Sequence, residues 1–212
     1  MINKPFIKIC GITRESDLAC VVDCGANAVG FIAFPKSPRY TSPSDVKFIL
    51  DHVDTKGCLK VAVFVNEDLE EIKKYIDAGI DIIQLHGDES ADFAESIDCE
   101  VWRAIRLKDD SQIEEFKDYP CSKFLIDSFV KDSLIPGGTG HVANWGLATK
   151  FVDAVGKEVL LAGGIKNENL EEALKNVKPF GLDLSSGVEE SPGIKDHDKI
   201  KDLFSTLKAL FA

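Results

Sequence analysis

Apolar and polar positions along this chain fall into two alternating kinds of segment. Short runs of branched and aromatic residues recur about eight times, and the stretches between them space their apolar residues three and four apart. The short runs are Phe6–Cys10, Ala28–Ala33, Leu59–Val65, Asp81–His86, Glu100–Arg106, Lys123–Asp127, Glu158–Ala162 and Phe180–Ser185. Several are almost continuously apolar, as in Val61-Ala-Val-Phe-Val65 and Val159-Leu-Leu-Ala162. A half-exposed strand alternates in polarity, whereas a parallel strand covered on both faces does not. The pattern therefore predicts buried parallel strands.

The intervening segments carry helix punctuation. Ser42 before Pro43 joins a capping hydroxyl to a proline suited to the first helical position. Asn66 precedes Glu67 and Asp68 as a cap, and Leu69, Ile72, Tyr75 and Ile76 share one face of a helix closing at Gly79. Thr13 opens a helix that ends near Gly25, and Asn167 caps a run with Leu170, Ala173 and Leu174 inward. Asp196 opens the last helix, which carries Ile200, Leu203, Phe204 and Leu207. No linker or shift in composition divides the chain, so residues 1–212 read as one α/β domain. Eight βα units in that length predict a closed (β/α)8 TIM barrel. An open doubly wound sheet would put its glycine-rich loop after the first strand. Here the glycine pairs follow late strands.

A formal net charge of −11 argues against nonspecific binding to nucleic acid. An anionic metabolite must then be held by local donors. No apolar run reaches the roughly 20 residues of a membrane span, and Met1–Cys10 lacks the pattern of a signal peptide. The six cysteines include no Cys-x-x-Cys, so neither a disulfide scaffold nor a thiol metal site is expected. A cytoplasmic setting fits.

Catalytic groups of such a barrel sit at the C-terminal ends of its strands. Those ends carry Cys10, Phe34 with the loop to Arg39, His86, Arg106, Asp127, Gly163-Gly164 and Ser185-Ser186-Gly187. Cys10 is either a buried thiol or a thiolate base at the mouth. Asp127 either caps the following loop or, with apolar neighbours raising its pKa, donates a proton. Arg39 is a solvated arginine or a fork for a substrate carboxylate, and His86 a structural residue or a substrate contact. Glycine-rich turns after the seventh and eighth strands are a common phosphate site, with backbone N–H groups and a short helix start facing the anion. Gly137-Gly-Thr-Gly140 adds a further such loop after the sixth strand.

These stretches together resemble the phosphoribosylanthranilate isomerase family over almost the whole chain. The matching strings are Lys8-Ile-Cys-Gly-Ile-Thr13, Gly30-Phe31 with Ser37-Pro38-Arg39, Gln84-Leu-His-Gly87, Asp127-Ser128 and Gly137-Gly-Thr-Gly140. Further on come Leu161-Ala-Gly-Gly164, Asp183-Leu-Ser-Ser-Gly-Val-Glu189, Pro192-Gly193 and Lys195-Asp196. The resemblance implies an Amadori rearrangement in tryptophan biosynthesis, acting on a small phosphorylated substrate without cofactor or metal, in a monomer or homodimer. It also implies Asp127 as general acid, Cys10 as general base, Arg39 on the anthranilate carboxylate and Asp183 near the substrate amine. Gly163, Gly164, Ser185, Ser186 and Gly187 would hold the phosphate. One departure is Val142-Ala-Asn-Trp145, where family members commonly have Phe-Asp-Trp. Asn144 can cap the next helix nearly as well as Asp.

The alternatives are another phosphate-binding barrel enzyme or a non-catalytic metabolite-binding barrel. A ribulose-phosphate epimerase would need metal-binding His and Asp on several strand ends, and His86 is the one histidine so placed. An indole-glycerol-phosphate synthase would need a catalytic Lys/Glu set, for which Lys8 without a matching Glu is a poor substitute. A binding barrel predicts loss of Cys10 or Asp127, and both are present.

Overall fold

The computed structural model describes residues 4–127 and 145–211. Strands β1 (Phe6–Cys10), β2 (Ala28–Ile32), β3 (Leu59–Phe64), β4 (Ile82–Leu85), β5 (Glu100–Arg106), β6 (Lys123–Asp127), β7 (Glu158–Leu161) and β8 (Gly181–Leu184) form a closed ring. Each runs parallel to the next, and β8 returns to pair with β1. Helices α1 (Glu15–Asp23), α2 (Pro43–His52), α3 (Leu69–Asp77), α4 (Ala91–Glu95) and α5 (Ser111–Phe116) follow the first five strands. Then come α6 (Trp145–Val155), α7 (Leu170–Val177) and α8 (His197–Leu210). A small antiparallel pair, β9 (Glu189–Ser191) with β10 (Ile194–Lys195), lies between β8 and α8.

Alternating side chains of each strand serve two cores. One set, including Ala28, Val61, Ile82, Trp102, Leu125 and Leu160, fills the inside of the ring. The other, including Ile9, Phe31, Ile83 and Phe124, packs outward against Leu18, Tyr75, Phe151 and Leu203 from the helices. Both faces are therefore apolar, which is why the strands read as unbroken hydrophobic runs. Each fully buried side chain of this size is worth about 1.5–3 kcal/mol. Among the described residues no helix is long and apolar enough to cross a membrane.

Two of the expected caps form as read. Ser42 Oγ accepts from Asp45 N at 3.2 Å, and Asp196 Oδ1 accepts from Asp198 N and Lys199 N at 3.0 and 3.1 Å. Three differ. Asp68, not Asn66, caps α3 by accepting from Glu71 N at 2.8 Å. Asn66 instead takes a left-handed backbone (φ 55°), and its Oδ1 accepts from Asp88 N at 2.7 Å, a conformation that a short polar side chain tolerates. Leu69 is consequently 42% exposed rather than inward. Thr13 gives its hydroxyl to the Gly193 carbonyl, and α1 begins at Glu15. Asn169 rather than Asn167 precedes α7, and its side chain closes the preceding turn by accepting from Lys166 N.

Candidate active site

At the C-terminal ends of the strands the ring opens into a cavity of about 290 Å³. The end of β1 brings Cys10 to it, the loop after β2 brings Arg39, and β4 and β6 bring His86 and Asp127. Gly163 and Gly164 line it from the loop after β7, Asp183 from β8, and Ser185 and Ser186 from just beyond. Gly187 stands behind this wall. The expected Gly137-Gly-Thr-Gly140 loop and Asn144 lie outside the described residues.

The floor is charged and buried. Lys8 lies two residues before Cys10 on β1 and so faces the same way. In the β1–β8 ladder Lys8 is in register with Asp183, and its Nζ donates to Asp183 Oδ1 at 3.0 Å. Both residues are buried. Cys10 is in register with Gly30 on β2. A Cβ at position 30 would stand 2.6 Å from Cys10 Sγ and 3.1 Å from Lys8 Nζ, so a glycine there makes room for both heads. Burial pushes the Cys10 thiol above its ordinary value, while the Lys8 ammonium pulls the other way. The thiol, not a ready thiolate, is therefore the resting form near neutrality. Burial works to lower Lys8 too, but Asp183 and Cys10 hold it above the usual lysine range.

Asp127 has different neighbours from those expected. Its carboxylate is about a third exposed (32%), with His86 Nε2 at 3.6 Å and Arg106 Nε at 3.9 Å. The expected apolar surroundings are thus replaced by an imidazole and a guanidinium, the latter because Arg106 is in register with Asp127 across the β5–β6 ladder. His86 Nε2 is buried and, among the described residues, makes no hydrogen bond within the usual limits. Gln84, two residues earlier on β4, also lines the cavity, and its Oε1 is buried without a partner among the described residues.

Arg39 is a cavity residue and not a solvated one. Its Nε donates to Glu189 Oε1 at 2.9 Å and its Nη2 to Glu189 Oε2 at 2.6 Å. Glu189 also accepts from Lys195 Nζ at 2.9 Å, and that same ammonium donates to the Cys10 carbonyl at 2.5 Å. Burial opposes ionisation of Glu189, yet Arg39 and Lys195 hold its carboxyl below the usual range. Burial pushes the Lys195 ammonium down. Asp17 of α1 completes the strap by accepting from Lys195 N at 3.1 Å, from Arg14 Nη2 at 2.7 Å and from His197 Nε2 at 2.9 Å. Reasoning from sequence missed this arrangement. Lys8 alone had a local signal, its i, i+2 relation to Cys10.

The two glycine-rich turns interlock. Gly163 and Gly164 adopt φ of 77° and 69°, a left-handed pair that disfavours side chains. After β8 the chain makes a single 3-10 turn over Ser186–Val188. Gly187 lies so close to the Ile165 carbonyl that any Cβ would overlap it. The two turns form one wall of the cavity, opposite the half that carries His86.

A closed ring of eight parallel strands, with an acid, a thiol and cationic groups gathered around one cavity at its C-terminal rim, defines a (β/α)8-barrel enzyme for small anionic metabolites. Comparison with known proteins narrows the class. Residues 7–206 match the family model described as N-(5'-phosphoribosyl)anthranilate (PRA) isomerase, and the chain belongs to that family. It is 39% identical over 205 residues to the N-(5'-phosphoribosyl)anthranilate isomerase of Aquifex aeolicus, covering 96% of this chain and 98% of that one. The crystal structure of phosphoribosyl anthranilate isomerase from Thermotoga maritima superposes with a TM-score of 0.87 at 34% identity, over 97% of this chain and 99% of that one. A further crystal structure of such an isomerase, in complex with reduced 1-(o-carboxyphenylamino)-1-deoxyribulose 5-phosphate, matches at 34% identity and a TM-score of 0.83, over 97% and 99% of the two chains.

Proposed function

We propose that this chain converts N-(5-phospho-β-D-ribosyl)anthranilate to 1-(2-carboxyphenylamino)-1-deoxy-D-ribulose 5-phosphate in tryptophan biosynthesis, as a single catalytic domain working in the cytoplasm. Asp127 acts as general acid. It gives its proton to the furanose ring oxygen as the bond from that oxygen to C1 breaks, and the anthranilate nitrogen lone pair forms the Schiff base. Cys10, ionised to its thiolate, acts as general base: it takes the C2 proton, which the neighbouring iminium has acidified, and becomes the thiol. The enolamine then tautomerises: the C2 hydroxyl proton leaves, C2 becomes the ketone and C1 gains a proton. The oxidation of C2 balances the reduction of C1, so the step calls on no outside oxidant or cofactor.

The remaining cavity residues fit the substrate's two anionic ends. The Arg39 edge not taken by Glu189 faces the anthranilate carboxylate, and the wall of Gly163, Gly164, Ser185 and Ser186 receives the phosphate, with Gly187 holding that wall in place. Asp183 and His86 lie between as contacts for the amine and the sugar hydroxyls. The observation that carries this reading is that Cys10 and Asp127, from strands on different sides of the ring, line one cavity. The experiment is to supply purified protein with phosphoribosylanthranilate and follow the loss of its anthranilate fluorescence. Fluorescence that persists at micromolar enzyme would end the proposal.

A further inference from the structure

We propose that Lys8, a buried residue the reaction scheme leaves unused, is a positioning residue for the base: its ammonium is the counter-charge against which a Cys10 thiolate forms. The inference rests on Cys10 being the general base and goes one step beneath it.

The geometry has three parts. Lys8 is wholly buried inside the ring, where an unpaired ammonium is costly. Asp183 supplies one partner at 3.0 Å. The Nζ of Lys8 and the Sγ of Cys10 meet over Gly30, each about 3 Å from the point that a side chain at position 30 would occupy. The ammonium therefore bonds a carboxylate on one side and faces the same point as the thiol on the other. Every charged group that bears on Cys10 enters the balance. Lys8 and, more weakly, Lys195 favour the thiolate, whereas Asp183 and burial oppose it. Arg39 also bears on Cys10 and is itself clamped on Glu189. Asp127 and His86 face the same cavity from its other side. Inside a protein, an opposite charge within about 4–6 Å moves a titration by about 1–3 pH units. This is enough to decide whether a buried thiol can ionise to the thiolate that accepts a proton during turnover.

The test is the pH dependence of Cys10 alkylation by iodoacetamide, read on the Cys10 peptide by mass spectrometry so that the other five cysteines are scored apart. Lys8→Met should raise the alkylation midpoint by about 1–3 pH units, a tenfold or greater loss of rate below the midpoint. Lys8→Arg, which keeps the charge, should stay within about threefold of wild type, as expected for a nearby charge of the same sign. Asp183→Asn should shift the midpoint the opposite way, to lower pH, because it removes the opposing anion. A purely structural lysine predicts shifts of one sign or none. An unchanged midpoint in folded Lys8→Met, or a midpoint unchanged or raised in Asp183→Asn, would overturn the proposal; the second arm decides if Lys8→Met does not fold. The alkylation readout needs no turnover. If Lys8→Met moves it while the acid limb of kcat/KM stays in place, the assignment of Cys10 as base fails and the role of Lys8 survives.

Discussion

Arg39 gives its Nε and Nη2 to the two carboxylate oxygens of Glu189, at 2.9 and 2.6 Å, and so reaches the cavity already clamped. A guanidinium has five N–H groups, and this clamp leaves its outer edge for a second carboxylate. Arg39→Ala should raise KM by about 10–100-fold, the equivalent of one or two charge-assisted hydrogen bonds, with a smaller change in kcat. Steady-state kinetics reads it. An unaltered KM would leave Arg39 as a clamp for Glu189 and nothing more.

Asp127 stands between His86 and Arg106, a setting that keeps the carboxyl in reach of both solvent and substrate. Asp127→Asn retains the shape and one hydrogen-bond donor but cannot deliver a proton. Turnover should fall by about 10²–10⁴-fold, the usual worth of general acid catalysis. Affinity for a reduced product analogue, measured by calorimetry, should stay within a few-fold. Near-normal turnover would remove Asp127 from the chemistry.

What could be read in advance divides along physical lines. The eight strands announced themselves because both faces of each are buried, and three of them begin and end where the apolar runs do: Phe6–Cys10, Glu100–Arg106 and Lys123–Asp127. The polar strand ends Cys10 and Asp127 were legible for the same reason, as exceptions to an apolar rule, whereas Asp183, inside its strand, was pointed to only by the family resemblance. The caps at Ser42 and Asp196 depend on adjacent residues only. The Arg39–Glu189 pair joins residues 150 apart in sequence, and Lys195 reaches back 185 residues to Cys10. No local pattern encodes such contacts. Asn66 and Asp68 are both good caps, and the choice between them was made by a bond from Asp88 in the next loop.

Asp17 carries a pH signature. Its carboxyl is pressed upward by burial but held below the usual range by Arg14, the Lys195 amide and His197. A carboxyl depressed on folding adds stability above its unfolded pKa of about 3.9, and that stability is lost as pH falls through the folded value. Glu189 behaves in the same sense. Urea denaturation should therefore show stability steady near neutrality and falling below about pH 4. Asp17→Asn should cost about 1.5–3 kcal/mol at pH 7 and less at pH 3. A cost equal at both pH values would assign the role of Asp17 to packing.

Gly187 offers a way to disturb the phosphate wall without touching a phosphate donor. It lies outside the cavity lining, and a Cβ there would overlap the Ile165 carbonyl, so the β8 turn can seat only if position 187 has no side chain. Gly187→Ala must push the 3-10 turn away from the β7 loop, at a cost of about 1–3 kcal/mol for overpacking. The donors of Ser185 and Ser186 then move relative to Gly163 and Gly164. Inhibition by inorganic phosphate should weaken about tenfold or more, as loss of one good hydrogen bond to a charged group implies, and KM should rise with it. Ser186→Ala provides the control, because residue 186 is exposed and its loss removes one hydroxyl without displacing the backbone. If Gly187→Ala lowers the melting temperature but leaves phosphate inhibition as in wild type, the interlocked turns serve the fold and the phosphate is held elsewhere.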